Sequence, residues 1–198
     1  ETVLPRIICL AVGYVCGLFQ TSYIYGKKSG IDIREHGSGN AGTTNALRTL
    51  GKKAGALTLL GDCLKCVLAV LIARLLFGTH QGTDLLALEL YAGAGCILGH
   101  NFPFYLKFKG GKGIAASVGL LLAFDIRIFP ICAVLFFATF FLTHYVSLSS
   151  LLAYLGFLIS VVTFGQMGML DCTQPVLWEV YGLSAGLTIL AYWRHRQN

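Results

Sequence analysis

The chain has 198 residues, of which 56% are hydrophobic and only 12% charged, and its mean hydropathy is +0.71. Soluble domains carry about twice that share of charge, so the composition excludes an ordinary water-soluble fold and indicates an integral membrane protein. The net charge of +6 is not arranged as a basic stripe interleaved with aromatics, which argues against a nucleic-acid reader and leaves anionic lipid headgroups and phosphorylated metabolites as partners.

Seven apolar runs follow in order, at 3–25, 54–77, 85–99, 114–124, 128–143, 147–164 and 175–193. Backbone groups in lipid must be satisfied within a helix or a closed barrel, and period-two alternation is absent, so helices are expected. The fold class is therefore read as all-α: a polytopic bundle of about seven transmembrane helices. It forms a single domain over residues 1–198, without linker, low-complexity tract or internal repeat. The first run lacks the layout of a cleaved signal peptide and is expected to remain a helix. The runs at 114–124 and 128–143 fall short of the ~20 residues of an upright span, which admits tilt, burial in protein, or a tight hairpin through Asp125 and Arg127.

Loop charge sets the expected orientation. Lys27, Lys28, Arg34, Arg48, Lys52 and Lys53 follow the first run, Lys107, Lys109 and Lys112 the third, and Arg194 and Arg196 the seventh, all on alternate connections. The positive-inside rule then puts the N-terminus outside and the C-terminus in the cytoplasm. Four polar islands share that cytoplasmic face: "GSGNAGTTNALR" (37–48), "GHNFPFYLKFKGGKG" (99–113), "HYVSLSS" (144–150) and "RHRQN" (194–198).

The first island formally contains G-x-G-x-x-G, but no βαβ unit surrounds it, and Gly111-Lys112 of the second is followed by Gly113, so neither a Rossmann nor a Walker site is indicated. The shared physics remains. Gly37, Gly39 and Gly42 can take positive φ and expose amides, lysines neutralise phosphate, and a helix N-terminus is expected near Ile114. Charge bias alone accounts for Lys and Arg, but not for Ser38, Asn40, Thr43, Thr44 and Asn45 crowded between glycines; two anion-binding islands suggest two phosphates. His100 suits a general base or a phosphate donor, and equally a helix-end hydrogen bond. Asp62 and Lys65, one turn apart inside a span, are expected to pair and orient the first island, or to touch substrate. Glu89 and Glu179 are expected to face the bundle or an interface. The seven cysteines read as small core residues, Cys63-x-x-Cys66 included, with no metal site expected. Gly13 with Gly17 and Gly182 with Gly186 are read as helix-packing pairs.

The first two islands, with "HYVSLSSLLA" and "WRHRQN" after them, resemble the bacterial acyl-phosphate:glycerol-3-phosphate acyltransferase family, the PlsY type, in order over nearly the whole chain. The resemblance implies a multi-pass enzyme of the bacterial cytoplasmic membrane, with its site on the cytoplasmic face. It implies transfer of a fatty acyl group from acyl phosphate to the 1-hydroxyl of sn-glycerol 3-phosphate, giving lysophosphatidic acid and phosphate at the first step of phospholipid synthesis, without cofactor or metal.

Carried onto this sequence, Ser38, Arg48, His100 and Lys107 are the catalytic candidates. Asn40, Thr43, Asn45, Lys109, Gly110, Gly111, Lys112, Gly113, Ser147, His195 and Asn198 are the binding candidates. Partners are the two substrates and membrane lipid, with a monomer as the expected state. The chain departs from the family pattern at Cys66, where Gly is usual, at Thr43, where Ala is common, and after Asn198, where family members continue with a basic tail. The alternative weighed, a transporter for a phosphorylated solute, calls for polar groups on both sides of the midplane or for inverted repeats. A CoA-dependent enzyme calls for H-x-x-x-x-D, which none of His36, His80 and His100 begins.

Overall fold

A computed structural model describes residues 3–79 and 85–196, and among them every regular element is helical. In chain order the α-helices are α1 (Val3–Gly17), α2 (Thr21–Lys28), α3 (Thr43–Leu50), α4 (Lys52–Phe77), α5 (Leu85–Asn101), α6 (Ile114–Phe124), α7 (Ile128–Thr143), α8 (Val146–Gln166) and α9 (Gln174–Arg194), with 3-10 turns at Ile33–Glu35 and Phe104–Leu106. Six of the seven apolar runs of the sequence are continuous helix, and the first is helical on either side of a break. Three stretches, Val3–Lys28, Lys52–Phe77 and Val146–Gln166, are long and apolar enough to cross a membrane.

The first run is interrupted. Between α1 and α2 the chain leaves the helix at 18–20, which frees carbonyls that a continuous helix would have used. The Gln20 amide turns back onto the carbonyls of Gly17 (3.3 Å) and His100 (3.0 Å), so the break is braced against the end of α5.

α5 is buried on nearly every side, as expected of a helix apolar all round. Lipid tails are as apolar as the core, so its docking depends on close packing of small residues. Gly13 and Gly17 of α1 lie on the backbone of Ala92, Cys96 and Gly99, while Gly95 and Gly99 of α5 lie on that of Leu10 and Tyr14; a Cβ on any of the four would overlap main chain. The Gly13/Gly17 reading is thus realised. Gly182 and Gly186 have nothing within 4 Å of where a Cβ would stand, so the same spacing on α9 marks no contact among the described residues. Sequence spacing defines a face of small residues but not what the face meets.

α4 packs against α1, α5 and α6, and α7 packs against α8 more than α6. The Asp125 carboxylate caps the turn between α6 and α7 by accepting from the Arg127 amide (3.0 Å) and guanidinium (2.6 Å), yet the two helices then diverge. The Ser117 and Tyr154 hydroxyls link α6 to α8 by a hydrogen bond. At the end opposite the glycine-rich loops, Arg6 pairs with Glu179 (2.5 Å), which also accepts from Tyr91 (2.6 Å), and Arg74 pairs with Glu89 (2.5 Å). Both glutamates face the bundle as expected. A cleft of about 450 Å³ lies beside the Arg6–Glu179 pair, its polar groups satisfied by one another.

Candidate active site

The loop from 30 to 42 is built around Asp32 and Arg34. The Asp32 carboxylate accepts from the Arg34 amide (3.0 Å) and from its guanidinium at Nε (3.0 Å) and Nη2 (2.7 Å), while the remaining Arg34 Nη1 donates to the Leu106 carbonyl (3.0 Å). One side chain therefore ties this loop to the lysine-rich one. The Arg34 hydrogen bond holds the Asp32 carboxyl down at about 2, below its ordinary 3.8.

Gly37 (φ 59°) and Gly39 (φ 69°) do take the left-handed conformation. Gly42 does not: its φ is −143°, and what requires glycine there is the Asn40 amide, standing where a Cβ would go. The rest of the first island is the short helix α3. Gly42 caps it without a side chain, so its first amides are left open at the end of the loop. The Thr43 hydroxyl is buried with no partner among the described residues.

Asn45 has both ends of its amide engaged by the loop, accepting from Ser38 N (3.0 Å) and donating to the carbonyls of Ile33 (3.2 Å) and His36 (2.9 Å). It is a staple of the anion loop. Ser38 and Arg48 are exposed, the latter in the last turn of α3.

The second loop leaves α5 through a 3-10 turn at Phe104–Leu106, after which Lys107 (φ 55°) and Phe108 (φ 59°) are both left-handed. Two successive non-glycine residues there cost roughly 1–2 kcal/mol each, and the loop repays this with hydrogen bonds. Phe108 N donates to Pro103 O (3.0 Å), Gly110 N to Asn101 O (3.1 Å) and Gly111 N to His100 O (3.1 Å). The Gly110 and Gly111 amides are therefore turned onto the end of α5, and the open amides expected of this loop are those at the N-terminus of α6. That helix has Gly113 (φ 83°) as an N-cap with no capping side chain. Directly behind Gly113 lies Asn101, fully buried, with both amide atoms unpartnered among the described residues.

Gly111 is where the loops meet, wedged between the His100 ring at Nε2 and the carbonyl of Ala41. The end of α9 closes the site: Arg194 Nη2 donates to the carbonyls of Gly111 (2.7 Å) and Gly110 (3.3 Å), with its guanidinium 5.2 Å from the Phe102 ring centroid. Lys112 is half-buried, and burial together with the Arg194 charge pulls its ammonium below the usual lysine range. His195 is buried and bonded through Nδ1 to Ala191 O (2.8 Å). Ser147 lies in the first turn of α8 at the same end, where the Tyr192 hydroxyl reaches Leu151 O (3.3 Å). Asn198 lies outside the described residues. Lys107 and Lys109 are exposed, flanked by Phe104 (59% exposed) and Phe108 (60% exposed).

Beneath this surface Asp62, Lys65 and His100 form one buried cluster. Lys65 Nζ lies 2.9 Å from Asp62 Oδ1 and 2.8 Å from His100 Nδ1. The pairing within α4 is as expected, but the group it braces is the root of the second loop, not the first. Sequence reasoning missed Gln20 and Asn101; the signal for Gln20 was a lone amide just inside the first run. Residues 20, 65 and 100 are too far apart in sequence for spacing to reveal them as neighbours.

Comparisons with known proteins give the family and the fold. The family model described as glycerol-3-phosphate acyltransferase matches residues 7–198. A glycerol-3-phosphate acyltransferase of Clostridioides difficile (strain 630) is 49% identical over 146 residues, 73% of this chain and 71% of that protein. Another, from Alkaliphilus metalliredigens (strain QYMF), is 39% identical over 198 residues, 98% of this chain and 90% of that protein. The crystal structure of PlsY (YgiH), an integral membrane glycerol 3-phosphate acyltransferase, in its glycerol 3-phosphate form superposes with a TM-score of 0.80 at 29% identity, over 98% of this chain and 89% of that one. Its lysophosphatidic acid form gives 0.78 at 30% identity, with the same coverage.

Proposed function

Since the chain belongs to the glycerol-3-phosphate acyltransferase family, we propose that it is a membrane acyltransferase that acylates the 1-hydroxyl of sn-glycerol 3-phosphate from acyl phosphate, releasing lysophosphatidic acid and inorganic phosphate. The observation that carries this reading is the meeting of two glycine-rich anion loops at Gly111, under the Arg194 guanidinium, at one end of an apolar bundle. Such a site offers two phosphates a common wall of amides and cations while the acyl chain lies among the helices.

Acyl phosphate is a mixed anhydride with a good leaving group, so catalysis needs positioning and charge neutralisation more than a covalent intermediate. The hydroxyl oxygen forms a bond to the acyl carbon, the bond from that carbon to the bridging phosphate oxygen breaks, and a substrate phosphate oxygen takes the hydroxyl proton. Arg48, Lys107 and Lys112 neutralise phosphate charge; Ser38, Asn40, Thr43 and the open amides of α3 and α6 orient it, within the scaffold set by Asn45, Gly110 and Gly111. Ser147 and His195 border the site from α8 and the end of α9. In the membrane the bundle crosses seven times, N-terminus outside and C-terminus in the cytoplasm, with the loops on the cytoplasmic face of the bacterial inner membrane and the enzyme acting as a monomer.

The test is to supply purified protein, in detergent or lipid, with palmitoyl phosphate and radiolabelled glycerol 3-phosphate. Labelled lysophosphatidic acid is expected from palmitoyl phosphate and not from palmitoyl-CoA. Failure to form it from palmitoyl phosphate overturns the reading.

A further inference from the structure

The interruption of the first run, the Asp62–Lys65 pair and His100 form one unit. Lys65 Nζ is surrounded by four acceptors: Phe19 O (2.6 Å), His100 Nδ1 (2.8 Å), Asp62 Oδ1 (2.9 Å) and Gly17 O (3.2 Å). Two of these carbonyls are available because the helix breaks at 18–20. An ammonium has three donors and no acceptor, and a carboxylate with two carbonyls gives those donors their partners. His100 Nδ1 therefore meets it with its lone pair, because a proton on Nδ1 would set N–H against N–H at 2.8 Å. The single ring proton is left on Nε2, the atom that abuts Gly111 where the two loops meet. Little can rearrange: Asp62 is 1% exposed, His100 2% and Lys65 6%.

We infer that Lys65, held by Asp62 and the broken helix, is a positioning residue for acyl transfer: it fixes His100 as the Nε2–H tautomer, so the ring is a hydrogen-bond donor to a substrate phosphate and not the base. This rests on the acyl-transfer reading above. It also accounts for an expensive buried ion pair beneath a site whose exposed cations lie elsewhere. A hydroxyl proton then has no imidazole lone pair facing it, and the base is the substrate's own phosphate.

The test reads the tautomer directly. Protein labelled with 15N-histidine in detergent is examined by long-range 15N–1H correlation, with the His100 signals assigned by their loss in His100→Gln. Wild type is expected to show only Nε2–H for His100. Replacing Lys65 alone strands the Asp62 charge, so the pair is removed together as Asp62→Leu/Lys65→Met. His100 is then expected to sample both tautomers, with kcat down about 10- to 100-fold, the worth of one hydrogen bond to a charged group, and KM for glycerol 3-phosphate little changed.

His100→Gln keeps an N–H donor and is expected to turn over faster than His100→Ala. An Nδ1–H signal in wild type, an unchanged tautomer in the folded double variant, or His100→Gln no better than His100→Ala each overturns the inference. If the double variant does not fold, the wild-type spectrum and the comparison of the two His100 variants decide. The spectrum needs no turnover, so a wild type that makes no product overturns the acyl-transfer reading separately.

Discussion

Substituting Gly111 with alanine places a methyl group at the most crowded point of the site. Its Cβ would press on the His100 ring and lie 2.8 Å from the Ala41 carbonyl, where ordinary contact needs about 3.5 Å. Neither neighbour can yield, since Ala41 is fully buried and His100 is held at Nδ1 by Lys65. The loops must part by something approaching ~1 Å, and that also stretches the 2.7 Å bond from Arg194 to the Gly111 carbonyl. Overpacking costs about 1–3 kcal/mol and a charged hydrogen bond about 1.5–3 kcal/mol; because the one movement that relieves the overlap also weakens the bond, the two costs are not summed in full and a loss of about 3 kcal/mol is expected. A misplacement of that size at reacting groups costs about 100-fold in rate. The assay is initial-rate acyl transfer from palmitoyl phosphate, beside thermal unfolding in the same detergent, with Gly186→Ala as control because its site is open. Gly186→Ala is expected to keep wild-type rate. Wild-type turnover by Gly111→Ala would refute the argument that the loops meet at this glycine.

Two further outcomes are expected. Arg48→Ala should abolish turnover while leaving the unfolding temperature near that of wild type, since the side chain is exposed; an active variant removes Arg48 from the catalytic set. Asp32 has a folded pKa of about 2 against an ordinary 3.8, so the stability it contributes is complete above about pH 4 and is lost as pH falls through about 2. Asp32→Asn should therefore unfold at lower temperature than wild type at pH 7, with the gap closing between about pH 4 and pH 2. A gap that is unchanged at pH 2 argues against the Asp32–Arg34 pair as its source.

The seven apolar runs became helices because lipid leaves the backbone few alternatives, and composition alone carries that constraint. The short helices were harder to see. In α3, Thr43, Thr44 and Asn45 are weak helix formers following a glycine, and only the Ala46, Leu47 and Leu50 spacing hinted that the island ends in a helix. Glycine content pointed correctly to tight loops, but not to which constraint each glycine serves: Gly37 has its φ, Gly42 has the Asn40 amide, and Gly111 has two neighbours from distant segments. Asn45 looked like a ligand because residue type reports hydrogen-bonding capacity and not where it is spent. The Lys65–His100 contact spans 35 positions with no periodicity to signal it, so it was legible only as a charge that had to have a partner.

In the proposed topology the exposed rings of Phe104, Tyr105 and Phe108, beside Lys107 and Lys109, would give the loop a footing at the headgroup level. With its mouth held there, the proposed enzyme collects one reactant from a volume and the other from a surface. Acyl phosphate would arrive by lateral diffusion, so the quantity that sets its occupancy is mole fraction in the bilayer, not molarity in the assay. Diluting the membrane with inert lipid would then slow the reaction even at constant bulk concentration, while glycerol 3-phosphate would still saturate by the ordinary three-dimensional law.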